Sequence, residues 1–157
     1  MKLSGFKPEK LYTFFEEITQ IPRGSYNEAG IADYLCAFAR ARGLRFIRDA
    51  VHNVVIFKDA PEGVTAAPVI LQGHTDMVCE KLPEIVHDFT RDPIELVVDG
   101  NWIRARGTTL GADNGVAVAM MLALLDDRQA VHPPLECVFT VCEETGLEGV
   151  MSLDTSV

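Results

Sequence analysis

Leu110-Gly-Ala-Asp-Asn-Gly115, followed at once by the apolar run 116–125, is the stretch that decides the fold. The run predicts a helix that is apolar all round, and such a helix has to be buried on most sides. Asp113 lies between two glycines where this helix begins, and the partial positive charge of a helix start favours an ionised carboxylate there. Because aspartate is also a preferred N-cap residue, Asp113 alone indicates either a helix cap or a functional carboxylate.

The composition indicates an ordinary globular protein. The chain has 157 residues, of which 48% are hydrophobic and 24% charged, and this length is enough for one domain with a real core. The net charge of -9 at pH 7 disfavours nucleic acid and anionic membrane surfaces, which are bound by clustered Lys and Arg. We therefore expect neither a nucleic-acid partner nor a membrane partner.

Targeting signals and cysteine usage predict a cytoplasmic protein. No basic and apolar leader opens the chain, and the apolar run 116–125 is about half the roughly 20 residues that span a bilayer. The cysteines Cys36, Cys79, Cys137 and Cys142 lack the paired spacing of a zinc site. That pattern is typical of reduced core residues in a cytosolic protein.

The order of predicted elements indicates an α/β fold with a mixed, mostly parallel sheet and helices on both faces. Two helices come first, after Pro8 and after Ser25, and the spacing of Ser25 and Glu28 fits a capping box. Short runs of apolar and β-branched residues then predict strands on either side of the apolar helix. These strands are 44–48, 53–58, 68–72, 94–98, 102–105 and 135–142.

A histidine and an aspartate follow the buried strand 68–72. In open α/β sheets, ligands bind beyond the carboxyl ends of the strands. Asp76 lies two residues after His74, so its carboxylate can accept the proton of one imidazole nitrogen and leave the other free for a metal. An isolated pair of this kind is also typical of a hydrogen-bonded structural histidine in a turn.

Two adjacent glutamates follow the buried strand 135–142. Neighbouring side chains at a strand end point in different directions, so one of Glu143 and Glu144 can bind a metal while the other faces a substrate. A solvated acidic turn before Gly146 is the alternative interpretation.

Together, these segments predict one site at the carboxyl edge of the sheet. Nitrogen and oxygen ligands suit zinc or another divalent ion, and a carboxylate such as Asp113 could bridge two metals about 3.5–4 Å apart. We expect His52 and His132 to be structural or surface residues. A role at the substrate entrance stays open for His87, which lies in the long irregular segment 82–92.

Four motifs in the right order resemble the zinc dipeptidases related to carboxypeptidase G and aminoacylase. The motifs are Gln72-Gly-His-Thr-Asp-Met-Val78, Val86-His-Asp-Phe-Thr-Arg-Asp-Pro93, Arg106-Gly-Thr-Thr-Leu-Gly-Ala-Asp-Asn-Gly115 and Cys142-Glu-Glu-Thr-Gly146. The resemblance begins at about Leu11 and is specific, because the second and third motifs extend beyond the expected metal ligands. It implies a zinc-peptidase-like catalytic domain.

The resemblance also implies roles for individual residues. His74, Asp113 and Glu144 would be metal ligands for two zinc ions, with Asp113 bridging them and Co²⁺ or Mn²⁺ as alternatives to zinc. Two residues would be catalytic: Asp76, which orients His74, and Glu143, the general base. The peptide bond after Asp113 would be cis. Substrate-binding residues are not indicated.

The implied reaction is hydrolysis of dipeptides with broad specificity, including Xaa-His dipeptides. Members of the family have two further ligands, an Asp and a His, and an inserted domain for dimerisation and for closing over the substrate. Residues 1–157 would then be the N-terminal portion of the catalytic domain of a homodimer. From this portion alone we expect low metal occupancy, little or no peptidase activity, and self-association through uncovered strand edges and apolar surface.

Three alternatives stay open at this point. The chain could come from a related aminotripeptidase, deacylase or carboxypeptidase. It could be a non-catalytic α/β interaction module that retains the motif residues without a working site. It could also be a cysteine-based enzyme that uses Cys79 or Cys142 with a histidine.

Overall fold

A computed structural model describes residues 2–154, and this stretch contains four α-helices and six β-strands. In chain order they are α1 (Glu9–Thr19), α2 (Ala29–Arg42), β1 (Phe46–Arg48), β2 (Val54–Lys58), β3 (Val69–His74), β4 (Leu96–Asp99), β5 (Trp102–Ala105), α3 (Ala112–Asp126), β6 (Leu135–Thr140) and α4 (Glu148–Ser152). The predicted α/β class with a mixed sheet is confirmed.

The main sheet has the strand order β1-β2-β6-β3, and β4 and β5 form a separate hairpin. Pairs β1–β2 and β2–β6 are antiparallel, and only β3–β6 is parallel. The predicted "mostly parallel" pairing is therefore corrected for the part of the chain that the structure describes. The short connection 49–53 can join β1 and β2 only as antiparallel neighbours, whereas the β3–β6 connection is long enough to contain α3 as a crossover.

The three longer helices pack on one face of the main sheet. Alternate side chains of β2 and β6 point to this face and form one core with α1, α2 and α3. The largest fully buried side chains in this core include Ile18, Ile31, Leu35, Ile56, Leu122 and Phe139.

The opposite face of the sheet carries a much smaller apolar cluster. It consists of Val55, Phe57 and Val138, with Ile47 and Leu153 packed against them. The short helix α4 lies on this side, because its Val150 lines a cavity with Gln72 and Thr140, whose side chains point away from the large core. The prediction of helices on both faces is therefore confirmed.

Helix α3 forms where the apolar run predicts it, and it packs against α1 and β3. It is buried along the side that contains Val118, Ala119 and Leu122. Val116 and Met120, however, are 39% and 55% exposed, so the helix is less enclosed than its composition predicts. Across residues 2–154, no helix combines the length and apolarity needed to cross a membrane.

Gly149 provides a test of how closely α4 packs against the segment that follows β6. A Cβ at this position would overlap the Val141 backbone, so we expect Gly149→Ala to lower the free energy of unfolding by about 1–3 kcal/mol. Gly30→Ala is the matched control. Gly30 lies in α2, and a Cβ there would come no closer than 3.4 Å to Ile21 Cγ2, an ordinary contact. Alanine is also favoured over glycine in helices by up to about 1 kcal/mol. Equal unfolding midpoints for the two variants in urea would contradict this packing.

Candidate metal centre

The carboxyl ends of β3 and β6 meet at the same edge of the sheet. These strands are parallel neighbours, and His74 is in register with Thr140. The N-terminus of α3 lies at this edge as well, since His74 Nε2 is 3.1 Å from Asp113 Oδ1. The segment after β6 brings Glu143 Oε2 to 3.7 Å from the same imidazole nitrogen.

Four of the five predicted site residues thus surround one point, and three of them form a tight group. Ligand atoms of His74, Glu143 and Glu144 all lie within 4.8 Å of one another. Asp113 contacts His74 but is not a member of that group, and its side chain is 89% exposed. A histidine nitrogen with carboxylate oxygens is a donor set that suits zinc and similar divalent ions, so these residues fit a metal.

The histidine is held by Asp76 on the side away from the open site. His74 Nδ1 lies 3.1 Å from the Asp76 carbonyl oxygen and 3.4 Å from the Asp76 carboxylate. Burial of the imidazole lowers its pKa, but hydrogen bonds to Asp76 and Asp113 outweigh this effect and raise the pKa of His74 to about 9. This arrangement leaves Nε2 directed at the carboxylates of Asp113 and Glu143.

Asp76 also holds the segment that contains Glu143 and Glu144. The sequence did not indicate this contact. Its fully buried carboxylate accepts hydrogen bonds from the backbone N–H groups of Glu143, at 3.0 Å, and Glu144, at 3.2 Å. Burial raises its pKa, but the hydrogen bonds from His74, the Glu143 N–H and Ser25 prevail and lower the pKa of Asp76 to about 2. One ionised carboxylate therefore connects both halves of the candidate site.

The predicted capping box at the start of α2 is wrong. Glu28 occupies the N-cap position without a side-chain cap hydrogen bond. The Ser25 hydroxyl instead donates to Asp76 Oδ2 at 2.7 Å. Glu28, only 4% exposed, accepts from the Cys142 backbone N–H at 3.0 Å and from its thiol at 3.2 Å. Both polar side chains support the site, and the only signal for them in the sequence was a spacing that fits a cap equally well.

The cysteines do not have the properties of nucleophiles. Burial and the hydrogen bond to Glu28 raise the pKa of the Cys142 thiol to about 11. Burial also raises the pKa of Cys79, against the opposing charge of Arg23. Reactive cysteines have lowered pKa values, so the cysteine-based alternative loses its support.

The other histidines lie in local contacts. His52 Nδ1 is 2.9 Å from Arg48 Nη2, and His132 Nδ1 is 2.7 Å from the Pro133 carbonyl oxygen. The His87 ring packs edge-on against Phe89, with 4.5 Å between ring centroids. A cavity of about 330 Å³ at the candidate site is lined by His74, Asp113, Glu143 and neighbouring residues, but not by His87.

The peptide bond between Asp113 and Asn114 is cis, as the resemblance implies. The sequence profile of peptidase family M20/M25/M40 matches residues 70–154, which contain all five candidate site residues. The chain belongs to this family. Peptidases of family M20/M25/M40 depend on metal ions, in agreement with the donor set at the sheet edge.

Similar proteins agree with the family assignment. The cytosol non-specific dipeptidase of Escherichia coli is 46% identical over 153 residues, which cover 97% of this chain and 32% of that protein. The crystal structure of aminoacylhistidine dipeptidase from Vibrio alginolyticus superimposes with a TM-score of 0.95 at 40% identity, covering 99% of this chain and 32% of that one. A tripeptidase from Staphylococcus aureus gives a TM-score of 0.75 at 28% identity, covering 93% and 39%. This M20/M25/M40 chain thus spans about a third of the length of the relatives it matches.

Glu28 provides a test of the support beneath the glutamate segment. In Glu28→Ala, the buried Cys142 N–H loses its acceptor, and we expect the free energy of unfolding to fall by about 1–3 kcal/mol. Glu28→Gln has a side chain of the same shape and keeps one acceptor oxygen, so its free energy of unfolding should fall by less than about 1 kcal/mol. Denaturant unfolding of both variants provides the comparison. Equal losses would show that the Glu28 charge, rather than its acceptor oxygen, stabilises this contact.

Proposed function

We propose that this chain forms the N-terminal part of the catalytic domain of a two-zinc dipeptidase. The observation that carries the proposal is the convergence of His74, Glu143 and Glu144 within 4.8 Å, with Asp113 in contact with His74. The substrates are dipeptides, including Xaa-His dipeptides, in line with the names of the Escherichia coli and Vibrio alginolyticus relatives. The complete protein works in the cytoplasm as a homodimer, and the segments outside residues 1–157 contribute the remaining ligands and a lid.

The ligand roles are those that the family resemblance implies, and the contacts of His74 support them. His74 would hold one metal ion through Nε2, because Nδ1 faces Asp76. Glu144 would hold the second ion, and Asp113, whose oxygen lies 3.1 Å from His74 Nε2, would be a ligand shared by both. When bound, these ions polarise the scissile carbonyl as Lewis acids; zinc is the proposed metal, with Co²⁺ or Mn²⁺ as alternatives.

Glu143 is the general base of the proposed reaction. Its side chain is 37% exposed and lines the cavity, and its backbone is fixed by the hydrogen bond to Asp76. Glu143 Oε2 takes a proton from the attacking water as the new C–O bond forms. The same oxygen then gives that proton to the leaving amine as the C–N bond breaks, so the carboxylate ends as it began.

Two glutamine substitutions separate the roles of the adjacent glutamates. In the full-length protein, Glu143→Gln should lower kcat for a dipeptide by about 10²–10⁴-fold, because it removes the proton acceptor, while most of the zinc affinity survives. Glu144→Gln should lower zinc affinity by at least about tenfold, because it removes a ligand charge. Both quantities are measured by dipeptide hydrolysis and by competition with a chromophoric chelator.

Glu84→Gln is the control for these substitutions, since Glu84 is an exposed acid in the loop 82–92. Its kcat and zinc affinity should equal those of the parent. Undiminished hydrolysis by Glu143→Gln would refute the assignment of the base and would favour a non-catalytic module for this part of the chain.

Removal of the metal distinguishes the remaining alternatives. A chelator should abolish dipeptide hydrolysis and added zinc should restore it, whereas a thiol reagent should leave it intact. Inhibition by the thiol reagent alone would instead favour a cysteine-based enzyme. The Staphylococcus aureus relative is named a tripeptidase, so kcat/KM is compared for dipeptides and tripeptides, and the dipeptide should be the better substrate.

A further inference from the structure

We infer that Arg23 is a positioning residue, which sets the separation of His74 and Asp113 by tying the end of β3 to the start of α3. The inference rests on the proposed function, because that function gives these two side chains their purpose. Among residues 2–154, Arg23 is not one of the side chains that line the cavity at the candidate site. It acts through the two backbone segments that carry the ligands.

The Arg23 guanidinium bridges those two segments directly. Nη1 donates to the Thr75 carbonyl at 2.7 Å, one residue after His74. Nη2 donates to the Gly111 carbonyl at 2.6 Å, two residues before Asp113. The side chain is buried, with the whole residue only 2% exposed, so solvent does not compete for either hydrogen bond.

The glycines on either side of Asp113 leave room for this guanidinium. A Cβ at Gly111 would lie 2.6 Å from Arg23 Nη2, and a Cβ at Gly115 would lie 2.8 Å from the same atom. Gly111 also has a positive φ of 69°, which favours glycine by itself. Gly115 has no such need; Arg23 Nη2 is the atom that its Cβ would approach most closely, ahead of Phe15 at 3.3 Å and Ile18 at 3.4 Å.

The backbone next to Arg23 is fixed to the same segment. Gly24 forms an isolated parallel bridge with Met77, so the chain at Arg23 runs alongside the residues that follow His74. A Cβ at Gly24 would lie 2.6 Å from Cys79 Sγ. The Arg23 side chain therefore extends from a fixed backbone. A side chain needs such support if it is to set the distance between His74 and Asp113.

Stability alone does not account for a charged group at this place. Burial lowers the pKa of Arg23 to about 10, against the opposing effect of Asp76, and the group stays protonated at neutral pH. Its Nε atom is buried and has no hydrogen-bond partner within the described stretch 2–154. Such a buried charge is a poor way to stabilise a core. A planar fork that fixes two carbonyl oxygens at once is what arginine supplies and lysine does not.

Arg23→Lys in the full-length protein tests the inference, because it keeps the charge and loses the fork. Loaded with Co²⁺, the variant should show an altered visible absorption spectrum. Its kcat for a dipeptide should fall by about 10²-fold with little change in KM, as expected when a reacting group is misplaced. Arg42→Lys is the control, since Arg42 bonds Asp126 and the Phe38 carbonyl at another site; its spectrum and kcat should match the parent.

Gly115→Ala provides an independent approach, because it should displace the guanidinium without altering Arg23. Alone it should resemble Arg23→Lys in spectrum and kcat. In the double variant the combined loss in kcat should be smaller than the product of the single losses, since both changes act on the same contact. Multiplicative losses would contradict a shared mechanism.

A metal-free readout keeps this inference separate from the proposed function. In the metal-free protein, the NMR signal of the His74 Nε2 proton reports its contact with Asp113, and Arg23→Lys should shift or broaden that signal. A protein that shows this change but neither binds zinc nor cleaves dipeptides would refute the proposed function and retain the positioning role. An unchanged signal together with an unchanged cobalt spectrum, even with a lower unfolding midpoint, would overturn the inference and leave Arg23 a structural residue.

Discussion

The hydrogen bonds of the buried Asp76 carboxylate are the contacts on which the candidate site depends. This carboxylate lies beside the imidazole of His74 and accepts from the hydroxyl of Ser25 and from the N–H groups of Glu143 and Glu144. These partners come from three separate stretches of the chain. A buried carboxylate with this many donors stays ionised, so the contact that brings these segments together is electrostatic.

The surroundings of Asp76 extend this arrangement to the rest of the fold. The Asp76 backbone carbonyl faces Nδ1 of His74, and the buried Arg23 contributes a compensating positive charge. Glu28 holds the backbone of Cys142 just before the two glutamates. Rigid side chains behind the ligands are what keep a metal site at productive distances. The buried polar side chains at this sheet edge therefore hold the candidate site residues in place.

Much of this architecture was predictable from the sequence, and the limits of prediction have physical causes. The continuous apolar run predicted α3 to within one or two residues, because a run of that length without turn residues fits only a helix. Strand direction was harder, because β2 and β3 each pair with β6, which is distant in the sequence, and not with each other. The candidate residues His74, Glu143 and Glu144 were predicted because they lie at the ends of buried strands, and Asp113 because it lies where the apolar helix begins. Their supports were not, since Ser25, Glu28 and Arg23 are residue types common in exposed turns and only the tertiary contacts reveal their burial.

The parallel register of β3 with β6 has a consequence for the order of assembly. His74 and Thr140 become neighbours only after the intervening chain has passed through the hairpin and the α3 crossover. Closing so long a loop is costly in entropy and tends to occur late in folding. Residues distant along the chain form the group that could hold a metal ion, so a nascent or unfolded polypeptide does not present these side chains together. Cation capture would then report that the polypeptide has reached its native topology.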